Sequence, residues 1–460
     1  MDKKQLILIN PANQKLDYDI NYEPVALGII ASKTNKKWDI KIIDERVEEL
    51  TFPRADLVGI TATSNNINRA YEISAYYNNK NTKTVIGGTH ASLLETEVKK
   101  YCSSVAVGAA ESIWEQILTD FDNNCLKDFY YGSTDLNYHI DRSYYNHKYK
   151  FATIQFSRGC PNRCDFCCVA AINKGKQTIR NVKLTIQEIE KTTQKIIFFT
   201  DDNLYPQSKF NRESMIELFK KMIEKKLNKI WFGFASIDVG IDDEFLFYAR
   251  KSGCRILLLG IETENQDVLK KINKNVNVKH INNINTIIKS IHKHRIAVCG
   301  AFITALEEDD LNVINKRIEF IKKSKIDLFF TSIYTPFPKT MLYERLKEQK
   351  RLIYTEYPKD WEKYNQYTLV FKHKNFTDEN FFYDIQKQIR GKKLLLKRFF
   401  KTLMNTRSAS ATLFVNFYNF NHTKKYFKKL TLLNWINNIF EIYLVKYSKK
   451  LEKRINKIQK

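Results

Sequence analysis

A chain of 460 residues with 43% hydrophobic content has enough apolar material for about three folded cores, which excludes disorder as its general state. Eight cysteines are too few for a disulfide framework at this length and point to metal ligation or buried thiols in a reducing compartment. The net charge of +25 is concentrated: Gly391 to Lys460 holds 17 Lys and Arg against two acids, and no aromatic-basic recognition motif accompanies it, so nucleic acid is not the expected partner.

The N-terminus, MDKKQLILINPAN, has only a six-residue apolar run before Asn10 and Pro11, too short for a signal peptide or a membrane span, and a cytoplasmic protein is expected. From Gln5 to about Phe121, apolar runs (LILIN, DIKIID, LVGITAT, KTVIGG, SVAVG) alternate with amphipathic stretches (VALGIIASK, RAYEISAYY, LLETEVKKY, ESIWEQIL). This β-α rhythm predicts an α/β fold, a doubly wound Rossmann-like parallel sheet over residues 1–135. Ligands of such sheets sit at the carboxyl ends of the strands, where Thr61 to Asn66, Gly87 to His90 and Gly108 to Glu111 fall. A polar, aromatic stretch from about Asn123 to Lys150 reads as a link. Six further strand candidates follow (ATIQF, KIIFFT, KIWFGFA, CRILLLG, AVCGAFI and DLFFTSIY), separated by amphipathic helices. They predict a partial (β/α)6 barrel over residues 136–348, and residues 349–460 read as mostly helical and basic. Cys254 and Cys299 lie in apolar runs and are expected in the core.

The sequence SRGCPNRCDFCC sets Cys160, Cys164 and Cys167 in CxxxCxxC spacing directly after the first barrel strand, at the catalytic end. An electron-transfer cluster normally takes four thiolates; three close ones leave the fourth iron of a [4Fe–4S] cluster open to a small molecule. Structural zinc would want a second ligand pair, and no paired Cys or His follows at finger spacing. Cys168 reads as a packed thiol, with fourth-ligand duty as the alternative.

These residues resemble the radical S-adenosylmethionine (SAM) superfamily, in which the open iron chelates SAM and its cleavage yields a 5′-deoxyadenosyl radical. The resemblance makes Cys160, Cys164 and Cys167 catalytic and metal-binding, and lays Phe166 against the adenine. It places Thr200, Asp201, Asp202 and Asn203 of FFTDDN at the SAM amino group, although the usual Gly-Gly-Glu is absent. It also makes Ser236 of FASIDV, with Gly260 and Glu262 of LLLGIETEN, contacts of the ribose and adenine.

The first domain resembles the cobalamin-binding domain that precedes the barrel in one large radical SAM class. The matching residues are Pro24, Leu27 and Gly28 (PVALG), Asp44, Thr61 and Ser64 (ITATSNN), Gly87, Gly88 and His90 (GGTHAS), and Gly108 and Glu111 (GAAES). Ala109 stands where an acid is common. No Asp-x-His occurs, so the cobalamin implied is one without a His lower ligand.

The segments YTPFPKTMLYERLKEQKRLI and DWEKYNQYTLVFKHKNFTDENF extend the resemblance to about residue 400, toward the hopanoid methylases and the oxidative cyclase of bacteriochlorophyll synthesis. What it implies is methylation of an unactivated carbon in a lipid or natural-product substrate, with an external electron donor such as flavodoxin or ferredoxin. The alternatives are cyclisation, oxidation or rearrangement with the same cofactors, or a non-catalytic cobalamin or redox sensor. The tail is interrupted by Asn434, Asn437, Asn438 and Glu441 and does not read as a spanning helix. It reads either as a basic amphipathic helix for peripheral contact with an anionic membrane or as a helical lid with a solvated lysine face.

Overall fold

The computed structural model describes residues 3–13, 22–145, 147, 149–389, 400–408 and 410–413; the basic tail from residue 414 onward lies outside the described residues. These form two compact units. One takes the residues up to Tyr149 with Phe166–Lys174 and Thr335–Phe371; the other takes Lys150–Asp165, Gly175–Tyr334 and those from Lys372 on.

The first unit is built on β1 (Lys4–Asn10), β2 (Trp38–Asp44), β3 (Leu57–Thr61), β4 (Lys83–Gly87), β5 (Ser104–Gly108) and β6 (Phe129–Gly132). All pairings are parallel, in the order β2-β1-β3-β4-β5-β6. Successive side chains of β1 enter opposite cores: Ile7 and Ile9 join Val58, Ile60 and Ile67, whereas Leu6 and Leu8 join Leu27, Trp38 and Trp114. Burial on both faces explains why these strands read as unbroken apolar runs. Helices α1 (Val25–Lys33), α2 (Ile67–Asn78), α3 (Thr89–Leu93), α4 (Glu95–Val98) and α5 (Trp114–Asp122) supply the rest of the layers. The strand order reverses at β1, and the loops beyond β1 and β3 are tied there: Asn66 Nδ2 donates to the Pro11 carbonyl and Asn13 Nδ2 to that of Asn65, both at 2.7 Å.

The stretch Asn123 to Lys150, expected as a link, contains β6, so the sheet gains an edge strand. Tyr130 packs into the core while its neighbour Tyr131 is 67% exposed, the alternation of an edge strand with one covered face.

The second unit begins with β7 (Phe151–Ile154), then a small antiparallel pair, β8 (Ser157–Arg158) and β9 (Thr178–Ile179), with α6 (Cys168–Asn173) between them in sequence. It continues through α7 (Val182–Lys191), β10 (Ile196–Phe199), α8 (Lys209–Glu224), β11 (Ile230–Ala235), α9 (Asp243–Ser252) and β12 (Cys254–Glu262). It is completed by α10 (Gln266–Lys271), α11 (Asn275–His280), α12 (Ile284–Lys293), β13 (Ala297–Thr304), α13 (Leu311–Lys323) and β14 (Leu328–Ile333). The order β14-β13-β12-β11-β10-β7 is parallel throughout, with β14 and β7 as edges: the six-stranded partial barrel that was expected. Helix starts follow their caps, with Asn181, Ser208, Asp242 and Asp310 each accepting a backbone N–H three residues on. On α12, Ile284, Ile287, Ile288 and Ile291 recur at helical spacing and are buried. Cys254 and Cys299 are core residues.

Residues 335–371 straddle the expected barrel-to-tail boundary, yet they group with the first unit. Tyr343 of α14 (Met341–Glu348), Trp361, Tyr364 and Val370 are buried in the same core as Ile7 and Ile60. Aromatic area is the cause, since each such side chain buries 150–250 Å² in ordinary proteins. Between residues 349 and 379, expected as mostly helical, the described chain is mostly loop and turn, and α15 (Asn380–Ile389) follows. Among the described residues, no helix is long and apolar enough to cross a membrane.

Candidate active site

The loop that leaves β7 carries the cysteine motif, and the ends of other strands hold it. Asp201, after β10, is 1% exposed and accepts the backbone N–H groups of Phe156, at 3.1 Å, and Ser157. Asp202 accepts the Gly159 N–H at 2.7 Å, one residue before Cys160. At the far side of the sheet, the Tyr334 hydroxyl after β14 donates to both carboxylate oxygens of Asp165, at 2.8 and 2.7 Å, and both residues are buried. Burial pushes the Asp201 carboxyl up to about 7; the Ser157 hydroxyl and the two N–H donors pull the other way, and Asp202 adds to the rise. The two acids expected at the SAM amino group are thus engaged with the backbone that shapes the motif loop.

Other candidates also lie at carboxyl strand ends. Thr200 donates its N–H to Ile154 O. Asn203 links two strands, its Oδ1 accepting the Ser236 N–H at 3.0 Å and its Nδ2 reaching Ser236 Oγ at 3.3 Å. At β12 the register shifts between Gly260 and Glu262, and Glu262 sits at φ 65°, a left-handed conformation unusual for a non-glycine residue. That turn aims the Glu262 carboxylate at Lys274 Nζ, 2.9 Å away, and Asn277 Nδ2 fixes the bulge by donating to the carbonyls of Gly260 and Ile261. Strain held by several bonds at a strand end is a hallmark of functional sites.

Cys160 is half-buried and its thiol is pushed up by burial, against the charge of Lys274; Cys164 is buried. The last part of the loop, with half-buried Phe166, Cys167 and Cys168, groups with the first unit, where α6 lies against α3. Burial and the neighbouring Cys167 push the Cys168 thiol up to about 12, the condition of an unreactive packed thiol.

In the first unit, Asp44 at the end of β2 is buried. Burial works to raise its carboxyl, but Arg46, Tyr149 and Asn10 hold it below the usual carboxylate range. Pro24 and Leu27 start α1 and are buried, and Glu111 is also buried. His90 is 0% exposed, with Nδ1 at 2.9 Å from Ser64 Oγ and Nε2 at 3.4 Å from Glu97, which also accepts from Trp361. His90 and Ser64, expected as ligand contacts, are therefore members of a core hydrogen-bond network. Gly88 has φ 98°, and a Cβ there would stand 2.5 Å from the Ala62 carbonyl; at Gly108, with φ 80°, it would stand 2.5 Å from that of Gly132. At both positions the positive φ and the neighbouring backbone favour glycine. Thr61, Gly87, Gly88, Gly108 and Ala109 remain half-buried at the strand ends.

The signature of the Radical SAM superfamily spans residues 154–321, from the end of β7 into α13. These residues form a Radical SAM domain. Bacteriochlorophyllide d C-12(1)-methyltransferase of Chlorobaculum tepidum is 26% identical over 448 residues, 92% of this chain and 94% of that protein. The C-8(2)-methyltransferase from the same organism is 28% identical over 85% of this chain and 91% of its own. Among solved structures, the radical SAM methyltransferase TsrM from Kitasatospora setae, with tryptophan and a SAM analogue bound, matches with a TM-score of 0.62 at 13% identity. The match covers 75% of this chain and 76% of that one, and it establishes likeness of fold.

The donor set suits a radical SAM cluster. Cys160, Cys164 and Cys167 form no disulfide and follow one another on the loop after β7, and the thiolates of a cubane bind separate irons. Among the described residues, no three His, Cys, Asp or Glu groups gather to hold a single ion. The strand ends of the first unit, made of small residues and backbone, suit a broad planar ring that takes no side-chain ligand. Sequence reasoning missed Asp165, Tyr334, Lys274 and Asn277. Tyr334 follows the sixth barrel strand directly, so the strand-end rule could have found it; the other three depend on folding.

Tyr334→Phe is expected to remove the hydroxyl that donates to the buried Asp165 carboxylate, at a cost of about 1–3 kcal/mol. The electron paramagnetic resonance spectrum of the reduced, reconstituted protein should change shape while its iron content holds. An unaltered spectrum would show that the bond braces only the fold.

Proposed function

We propose that this chain is a cobalamin-dependent radical SAM methyltransferase that modifies a carbon of a small molecule of lipid or natural-product type. The observation that carries the reading is the reach of the two named methyltransferases, which align with 92% and 85% of the chain and so include both units. Cys160, Cys164 and Cys167 hold the cluster, and the first unit's strand ends receive the cobalamin. When bound, the cluster supplies the electron that cleaves SAM, and cobalamin carries the methyl group.

The protein's own residues position and screen. Asp201, Asp202 and Tyr334 bond to Phe156, Ser157, Gly159 and Asp165, which limits the freedom of the loop segment that carries Cys160 and Cys164 and so the ordering left to do when the cluster binds. Asn203, Ser236, Gly260 and Glu262 form a polar rim over the strand ends of the barrel, and the Lys274 ammonium offsets the Glu262 carboxylate there. Phe166 offers an apolar face to the adenine. An external one-electron donor of the flavodoxin or ferredoxin class serves the cluster. A peripheral membrane role would rest on the basic tail beyond residue 413.

Anaerobic reconstitution with iron, sulfide and hydroxocobalamin, followed by reduction with labelled SAM, tests this. Both deoxyadenosine and S-adenosylhomocysteine are expected. Deoxyadenosine without S-adenosylhomocysteine would move the protein to the cyclase or oxidase class, and neither product would end the enzymatic reading.

A further inference from the structure

The second unit has another concavity, at the amino ends of β13 and β14, opposite the strand ends that carry the motif loop. The end of α12 and the turn into β13 supply Lys289, Lys293 and Arg295; Lys325 comes from the turn before β14, and Asn405 and Arg407 from the 400–408 segment. Together they line a cavity of about 490 Å³, within the range of small-molecule sites and far too small for a folded partner. No Asp or Glu lines it.

The charges there lack compensation. Lys293 reaches Asp243 at 3.3 Å, but among the described residues no acidic partner is found for Lys289, Arg295, Lys325 or Arg407. His292, also in the wall, turns its Nε2 to Asp327 at 2.7 Å, and that buried carboxylate also accepts the Val298 N–H, so it faces inward. The Asn405 side-chain nitrogen is a buried donor with no acceptor among the described residues.

The field is reinforced from behind. Arg250 and Arg255 fasten this same segment through the neutral hydroxyls of Ser408, at 3.3 Å, and Ser410, at 2.8 Å. Burial, and to a lesser degree the like charge of Arg250, pushes the Arg255 guanidinium down to about 10. Cations gathered around a concave wall attract anions and are stabilised by them. Arginine forks match phosphate oxygens in pairs, and lysines add point charge.

We propose that this cavity is a binding site for a multiply charged phosphate group, carried either by a free diphosphate-bearing metabolite or by an anionic lipid headgroup. It stands apart from the radical chemistry and does not depend on the methyltransferase reading. Placed on the end of the barrel that carries no catalytic loops, it would act as an anchor or an effector site.

The test titrates inorganic pyrophosphate into the full-length protein at low salt by calorimetry. In parallel, the protein is floated with phosphatidylcholine vesicles with and without phosphatidylglycerol. Arg295→Gln combined with Arg407→Gln should weaken pyrophosphate binding at least tenfold if the ligand is free, and the affinity should fall as salt rises. If a headgroup is the ligand, the same pair should reduce flotation on phosphatidylglycerol vesicles, and pyrophosphate should compete. A rise in the melting temperature of the unaltered protein with pyrophosphate gives a readout that needs no variant. Failure of both probes to bind, or binding unchanged by the paired substitution, overturns the proposal.

Discussion

Cys164→Ala is expected to reduce deoxyadenosine formation below detection. Two thiolates cannot hold a cubane in place of three, and without the cluster no electron reaches SAM. The fold should survive, because Cys164 sits in a loop whose bracing comes from other residues: Asp201 on Phe156 and Ser157, Asp202 on Gly159, and Tyr334 on Asp165. Iron content after reconstitution should fall while far-ultraviolet circular dichroism stays the same. Cys168→Ala is the control, since its packed thiol lies outside the motif; it should keep its iron and its SAM cleavage. If Cys164→Ala retained cleavage, the assignment of the motif would be wrong.

Arg317→Met should have the largest effect on stability. Arg317, on α13, is 1% exposed and donates to Asp309 at 2.7 and 2.9 Å, to Glu264 at 3.1 Å, to Thr263 Oγ1 at 2.9 Å and to the Ile303 carbonyl at 2.9 Å. Burial works against its charge, but Asp309 and Glu264 more than offset this and raise its proton affinity. Methionine matches much of its volume yet leaves the fully buried Asp309 carboxylate unpaired, at a cost of about 3–5 kcal/mol. Urea unfolding measures the loss. Arg317→Met with Asp309→Leu should recover most of it, because the isolated charge is then gone; a double variant no better than the single one would locate the cost in packing instead. The network ties the segments after β12 and β13, so the single variant should also disturb the Glu262 bulge and lower SAM cleavage.

The two halves of the molecule were unequally legible. Each of the six barrel strands coincides with an apolar run, because a strand buried on both faces must be apolar along its length. The edge strand Phe129–Gly132 escaped notice because only one of its faces is covered, and its short FYYG run lies in a polar stretch. His90 and Gly88 show the limit of motif reading. Both lie in the GGTHAS stretch that resembles a ligand-binding one, yet His90, on α3, bonds to Ser64 and Glu97, and at Gly88 the Ala62 backbone leaves no room for a Cβ. Residue type marked the loop; what each residue touches depended on another loop's arrival.

By itself, the sequence determined the alternation of apolar strands with amphipathic helices along the chain and the three-thiol motif behind the first barrel strand, since periodicity and spacing are local properties of the chain. The tertiary structure decided which groups brace that motif: Asp201 and Tyr334 lie more than 40 and nearly 170 residues from the atoms they bind. It also decided that Thr335–Phe371 belongs with the first unit, and that Lys289, Lys325 and Arg407 share one cavity. Hydrogen bonds, packing and electrostatic fields act across space, and no local pattern in the chain records which distant residues folding will bring together.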